Sequence, residues 1–204
     1  MKNRFTTILG LSLFFAFFTS FSTLLVQDVV TVSTSIYEVT YSQKLEQPLK
    51  LTYRSTNRPT NVNRGSMDFH VDKNVHTSDG EDYKRNVWDK GHLAPAATFS
   101  DNMDNLYTTF SYLNCALQNQ YLNRGEWRML ETEERKWDDN QSLTIVIDVL
   151  FNSDCQVLPT GATVPSGFVK HIYFEGDKMW KCYSFENEKP ETPWESHKIN
   201  CKQH

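Results

Sequence analysis

Along the first part of the chain the residues are apolar and uncharged from Phe5 to Gln27, after the basic Lys2 and Arg4, and acidic Asp28 ends the run. The basic start, the core ILGLSLFFAFF and the small residues at Ser20-Phe21-Ser22 predict a secretory signal peptide over residues 1–22; an uncleaved membrane anchor through residues 5–27 is the alternative. Residues 29–41 (VVTVSTSIYEVTY) are β-branched and aromatic with partial alternation and predict a strand. Residues 49–53 predict a second strand. The polar stretch STNRPTNVNRGS that follows, broken by Pro59 and Gly65, predicts a loop. Residues 88–97 (WDKGHLAPAA) read as strand, turn and extended exit. Residues 123–137 (NRGEWRMLETEERKW) are good helix formers with Trp127, Leu130 and Glu134 at helical spacing, which predicts an amphipathic helix opening near Asn123. Residues 143–151 (LTIVIDVLF) form a nearly continuous apolar run, predicting a buried central strand interrupted by Asp148. Residues 167–174 and 179–185 flank Glu175-Gly176-Asp177-Lys178 and predict a hairpin.

Strands, then a helix, then strands point to an α+β fold with a mixed, mainly antiparallel sheet in one domain over residues 23–204. Composition agrees: 39% hydrophobic and 23% charged residues in a chain of 204 can bury a core and exclude a collagen, a coiled-coil rod and a disordered tail. The net charge of -4 means that any nucleic-acid role must rest on a local basic site. The 4 cysteines all lie beyond the apolar segment, and an even number in an exported chain predicts two disulfides among Cys115, Cys155, Cys182 and Cys201, with the pairing open. No Cys-x2-Cys or His-x3-His spacing suggests a structural zinc. Asn140-Gln141-Ser142 is a glycosylation sequon, and the aperiodic tail from Glu188 is expected to be loose but stapled through Cys201.

The dense chemistry begins at Asp89-Lys90-Gly91-His92, continues through Asn114 to Gln118, and ends with Leu122-Asn123-Arg124-Gly125-Glu126-Trp127 and Leu130-Glu131. On an ideal helix Asn123, Trp127 and Glu131 fall within about 80° of arc, so Asn123 and Glu131 can look into one cleft from successive turns. These linked motifs, with Val164-Pro165 and Phe168-Val169-Lys170 further on, resemble the DNA/RNA non-specific endonuclease family. The resemblance implies a ββα-metal nuclease motif and metal-dependent hydrolysis of DNA and RNA phosphodiesters with little sequence specificity. It implies His92 as general base, a role that suits an imidazole titrating near 6.5. It implies Asn123 as direct ligand of Mg2+, with Mn2+ able to substitute, and Glu131 holding a metal-bound water or orienting a partner.

The sequence departs from the family pattern at several points. Lys90 stands where the family has Arg, keeping a positive charge for the transition state but losing the bidentate fork. Leu117 replaces a Pro, and Ile147-Asp148-Val149-Leu150-Phe151 lacks the family's Gly-Pro pair. These departures keep a second reading open, a catalytically impaired relative that binds nucleic acid or a protein partner, and a third, a phosphodiesterase for small nucleotides. Asn123 also reads as a helix N-cap, Glu131 as a solvated helix residue, Asp89 as either a turn former or an orienting group, and Arg54, Arg58 and Arg64 as solvated loop arginines that could instead face phosphate.

Overall fold

A computed structural model describes residues 27–201 of the chain; the signal peptide predicted over residues 1–22 lies outside the described residues. Seven strands form an antiparallel sheet: β1 (Val29–Ser33), β2 (Tyr37–Ser42), β3 (Gln47–Ser55), β6 (Leu143–Leu150), β7 (Gly167–Phe174), β8 (Met179–Glu186) and β9 (Lys198–Ile199), side by side in that order. The α+β class read from the sequence is therefore correct. Between β3 and β6 the chain leaves the sheet. It makes a separate two-stranded ribbon, β4 (Trp88–His92) with β5 (Cys115–Asn119), and then a helical arm.

One predicted strand divides. Residues 29–41 become two strands because Thr34 builds a turn between them: its Oγ1 accepts from the N–H of Ile36 and Tyr37 at 3.2 and 3.0 Å and donates to the Tyr37 carbonyl at 2.8 Å. The central strand β6 is central as predicted but buried on one face only. Leu143, Ile145, Ile147 and Val149 point into the core, while Thr144, Val146 and Asp148 alternate onto a half-exposed face. Asp148 interrupts the apolar run without cost because it lies on that open face, 3.3 Å from Lys50 Nζ and 3.0 Å from His171 Nε2.

The helical arm packs on the inner face of β3 and β6. Leu51, Tyr53, Ile145, Ile147 and Phe168 meet Trp127 and Leu130 in one continuous core, and burial of each such side chain is worth about 1.5–3 kcal/mol. The arm is not the single helix expected from its sequence. It starts at α1 (Gln120–Leu122), passes through a π-helical turn over Asn123–Trp127, and continues as α2 (Arg128–Asp138). Asn119, not Asn123, is the N-cap, its side chain accepting from the Tyr121 N–H.

Of the two expected disulfides one forms, Cys182–Cys201. Cys115 is buried in β5 with its thiol against the Tyr83 hydroxyl, and burial pushes its pKa up to about 12, whereas Cys155 lies in the loop after β6. Both remain free thiols. The tail is more ordered than its composition suggests, since β9 joins the sheet edge and Cys201 anchors it to β8. Among the described residues no helix is long and apolar enough to cross a membrane.

Candidate active site

The ribbon and the helical arm place His92, Asn123 and Glu131 on one cleft of about 610 Å³, together with Arg124, Arg128 and Arg135. His92 ends β4, and the chain beyond it is fixed by buried Asn114. That amide accepts from the Ala94 N–H at 2.7 Å and donates to the carbonyls of Ala94 and Thr109 at 2.9 and 2.8 Å. The imidazole is flanked by Phe69 and Phe110, with ring centroids 4.6 and 4.9 Å away. Burial, with a smaller contribution from the nearby Arg64 guanidinium, lowers its pKa to about 3, so the ring is neutral at any working pH. Its Nε2 is buried and has no hydrogen-bond partner.

Asn123 is oriented from below. Its Nδ2 donates to Asp89 Oδ2 at 2.9 Å, and Asp89 is itself gripped by Arg124 through two bonds of 2.7 and 2.6 Å. With the amide nitrogen held by Asp89, the amide oxygen is the end of the group turned away from that contact. Asp89 is accordingly an orienting residue and not simply a turn former. The π-turn produces the rest of the geometry. In a straight helix Trp127 would share the face of Asn123 and Glu131. Here Gly125 leaves helical geometry (φ -105, ψ -114), and Trp127 turns into the core at 1% exposure while Asn123 and Glu131 stay on the cleft.

Glu131 is no solvated helix residue. Its Oε1 is covered and makes no hydrogen bond of good geometry, and desolvation raises its pKa to about 7; neighbouring Glu134 pushes the same way, against Lys170, Arg135 and the Trp127 indole. Beneath it Lys170 Nζ lies 2.9 Å from Glu134 Oε1 and 4.0 Å from the Trp127 ring centroid, and the Tyr53 hydroxyl donates to Glu134 Oε2 at 2.9 Å. A buried ion pair thus lies in the core next to Glu131.

These two shifts act on stability with opposite signs. An unfolded Glu131 releases its proton near 4.5 and the folded one near 7, so ionising it costs stability as pH rises through that window. His92 does the reverse: unfolded it protonates near 6.5, folded only near 3, so stability falls as pH drops below 6.5. Glu131→Gln is therefore expected to unfold at higher urea concentration at pH 8, by at most about 3 kcal/mol, with the gain gone below pH 4.5. Equal stability of the two proteins at pH 8 would show that the carboxylate is comfortable where it sits.

Lys90 is not brought into this cleft. It lines a neighbouring hollow, its Nζ 2.8 Å from Asp68 Oδ1 and 5.6 Å from the Phe69 ring centroid. The cleft cations are arginines the sequence reading passed over. Arg128 and Arg135 follow Arg124 at helical spacing, and unlike Arg124 they have no acidic partner among the described ion pairs. That spacing was the available signal. Arg54 and Arg58 are tied to Glu175 and Asp101 on the surface, whereas Arg64 lies 5.0 Å over the Phe110 ring, beside His92.

Gly91, between Lys90 and His92, is required by the ribbon. A Cβ there would sit 2.5 Å from Gln118 Oε1 and 2.6 Å from Gln118 Cβ, and Gln118 is fully buried. Gly91→Ala is expected to destabilise the protein by about 1–3 kcal/mol in urea unfolding, and a value near zero would mean that β4 and β5 separate freely.

A strand ribbon carrying a histidine, followed by a helical arm carrying asparagine and glutamate into the same cleft, is the architecture of a nuclease fold. A solved structure of the EndoG/EndoGI complex superposes with a TM-score of 0.73 over 83% of this chain and 80% of that one, at 23% identity. The sequence matches the model of the DNA/RNA non-specific endonuclease family over residues 19–203, and the chain belongs to that family. Among curated relatives, mitochondrial endonuclease G of Bos taurus is 38% identical over 76 residues, 36% of this chain and 25% of that protein. A nuclease of Serratia marcescens is 32% identical over 103 residues, 47% of this chain and 38% of that protein. The matched part thus spans between a quarter and two fifths of those relatives' lengths.

Proposed function

We propose that the protein is an exported, Mg2+-dependent endonuclease that hydrolyses phosphodiester bonds of DNA and RNA with little sequence specificity. The observation that carries this reading is the convergence on one arginine-lined cleft of His92 and Glu131, whose Nε2 and Oε1 are buried without a hydrogen bond, and Asn123, whose amide nitrogen is held by Asp89. No group of three or more His, Cys, Asp or Glu side chains among the described residues could hold a metal. That suits Mg2+, which keeps most of its waters and takes few protein ligands.

Asn123 would hold the ion, and Glu131 would hold one of its waters. Bound there, Mg2+ supplies charge stabilisation at the scissile phosphate and the leaving 3′ oxygen. His92 Nε2 accepts a proton from the attacking water: it is neutral in the free protein, where burial holds it near 3 and not at the 6.5 of a free imidazole, and an anionic phosphate seated beside it would raise its basicity toward what the task needs. The guanidinium groups of Arg128 and Arg135, which have no salt-bridge partner among the described ion pairs, would attract the phosphate backbone, and contacts to the backbone carry no sequence information, which supports low sequence specificity. Lys90 can add its charge only by leaving Asp68. The apolar leader over residues 1–22 supports export.

The test is cleavage of plasmid DNA and of an RNA transcript by the purified protein. Activity is expected with Mg2+ or Mn2+, loss with EDTA, and a fall of more than about 10-fold in Asn123→Ala, since loss of a group that only orients a metal ligand already costs about 10- to 100-fold. A folded protein inert on both substrates with metal present would overturn the reading in favour of nucleic-acid or protein binding alone.

A further inference from the structure

The tail from Asn187 onward runs alongside the segment that carries Asn123 and touches it at three points. Asn187 Oδ1 accepts from the N–H of Asn119, the cap residue of the arm, at 2.8 Å. Lys189 Nζ lies 5.5 Å from the Tyr121 ring centroid. The backbone N–H of Trp194 donates to Glu126 Oε2 at 2.7 Å, inside the π-turn and three residues from Asn123. The strap is itself fixed at both ends. Asn187 is buried and donates to the Leu117 and Pro165 carbonyls at 2.9 Å each. Beyond Glu126, Trp194 packs on Trp137 and Tyr183, His197 stacks on Phe185, and Cys201 closes onto Cys182.

A π-turn broken at Gly125 lacks the regular hydrogen bonds that would hold an α-helix rigid, so the orientation of Asn123 needs support from outside the arm. Asp89 supplies it from β4. We infer that Glu126 and Asn187 are positioning residues: through them the C-terminal strap sets the π-turn so that the Asn123 amide oxygen is presented to the metal. This inference rests on the reading of Asn123 as the metal ligand.

The test is Mn2+ binding to the nucleic-acid-free protein, followed by electron paramagnetic resonance, beside thermal unfolding of each variant. Glu126→Ala and Asn187→Ala are expected to weaken Mn2+ binding by about 10-fold, as loss of a group that orients a metal ligand does. Glu126→Gln keeps an acceptor oxygen for the Trp194 N–H and is expected to bind within about 2-fold of wild type, a rescue that loss of charge alone would not give. If Asn123→Ala binds Mn2+ poorly while Glu126→Ala and Asn187→Ala bind like wild type, the strap inference falls and the metal site stands. If Asn123→Ala binds like wild type, the metal reading falls and takes the strap with it. Equal loss in Glu126→Ala and Glu126→Gln, tracking lowered melting temperatures, would make the contact merely structural and overturn the inference.

Discussion

His92→Ala is expected to lower the rate of phosphodiester cleavage by about 10²- to 10⁴-fold, the range in which a positioned general base contributes. The ring is sandwiched by Phe69 and Phe110, its Nε2 has no competing hydrogen bond, and the strand pairing with β5 holds its backbone. Such a group is preorganised, and its removal takes away a proton acceptor that solvent cannot replace in the same place. Initial rates of plasmid relaxation at saturating Mg2+ measure the loss, with circular dichroism as the control on folding. A folded variant within about 3-fold of wild type would remove His92 from the reaction, since that is far below any general-base contribution. His92→Ala should bind Mn2+ normally, which separates it from Asn123→Ala.

The largest effect on stability is expected from Lys170→Met, at about 3–5 kcal/mol in urea unfolding. Lys170 and Glu134 are 0% and 2% exposed and 2.9 Å apart. The pair is held by proximity and not by an aligned hydrogen bond, so the ammonium also leans on the Trp127 ring at 4.0 Å. Removing the cation strands the Glu134 carboxylate in the core and takes from Glu131 the charge that most favours its ionisation. The double variant Lys170→Met with Glu134→Gln neutralises both partners and keeps an acceptor for the Tyr53 hydroxyl, so it should regain most of the loss. A single variant as stable as wild type would mean that water reaches the pair.

Much of the candidate cleft was legible in the linear sequence because residues at helical spacing still meet on one face where the helix is locally irregular. Asn123 and Glu131 share the cleft, as helical periodicity predicts, although the helix between them is broken. The break itself was not legible, since a lone Gly125 among strong helix formers does not announce a π-turn, and the capping role moved to Asn119 for the same reason. The placement of Lys90 depended on Asp68, some twenty residues away, through a loop whose path no pattern encodes. The turn at Thr34 was hidden because its flanks are as β-branched as the strands they join. Likewise, composition could count cysteines but not see that Tyr83 occupies the Cys115 thiol.

The position of the ribbon and arm in the chain has a kinetic consequence. β3 pairs directly with β6, Leu51 opposite Ile147, so the whole active-site unit is a loop that must be closed before the middle of the sheet exists. The β1–β2–β3 meander and the β7–β8 hairpin join neighbours through short turns and β6 reaches β7 over the loop at residues 151–166, so both halves form locally, whereas their union costs the closure entropy of roughly half the chain. Folding is therefore expected to be slow for a protein of this size, and in a refolding experiment cleavage activity should return after most of the strand signal, with the last and longest-range pairing.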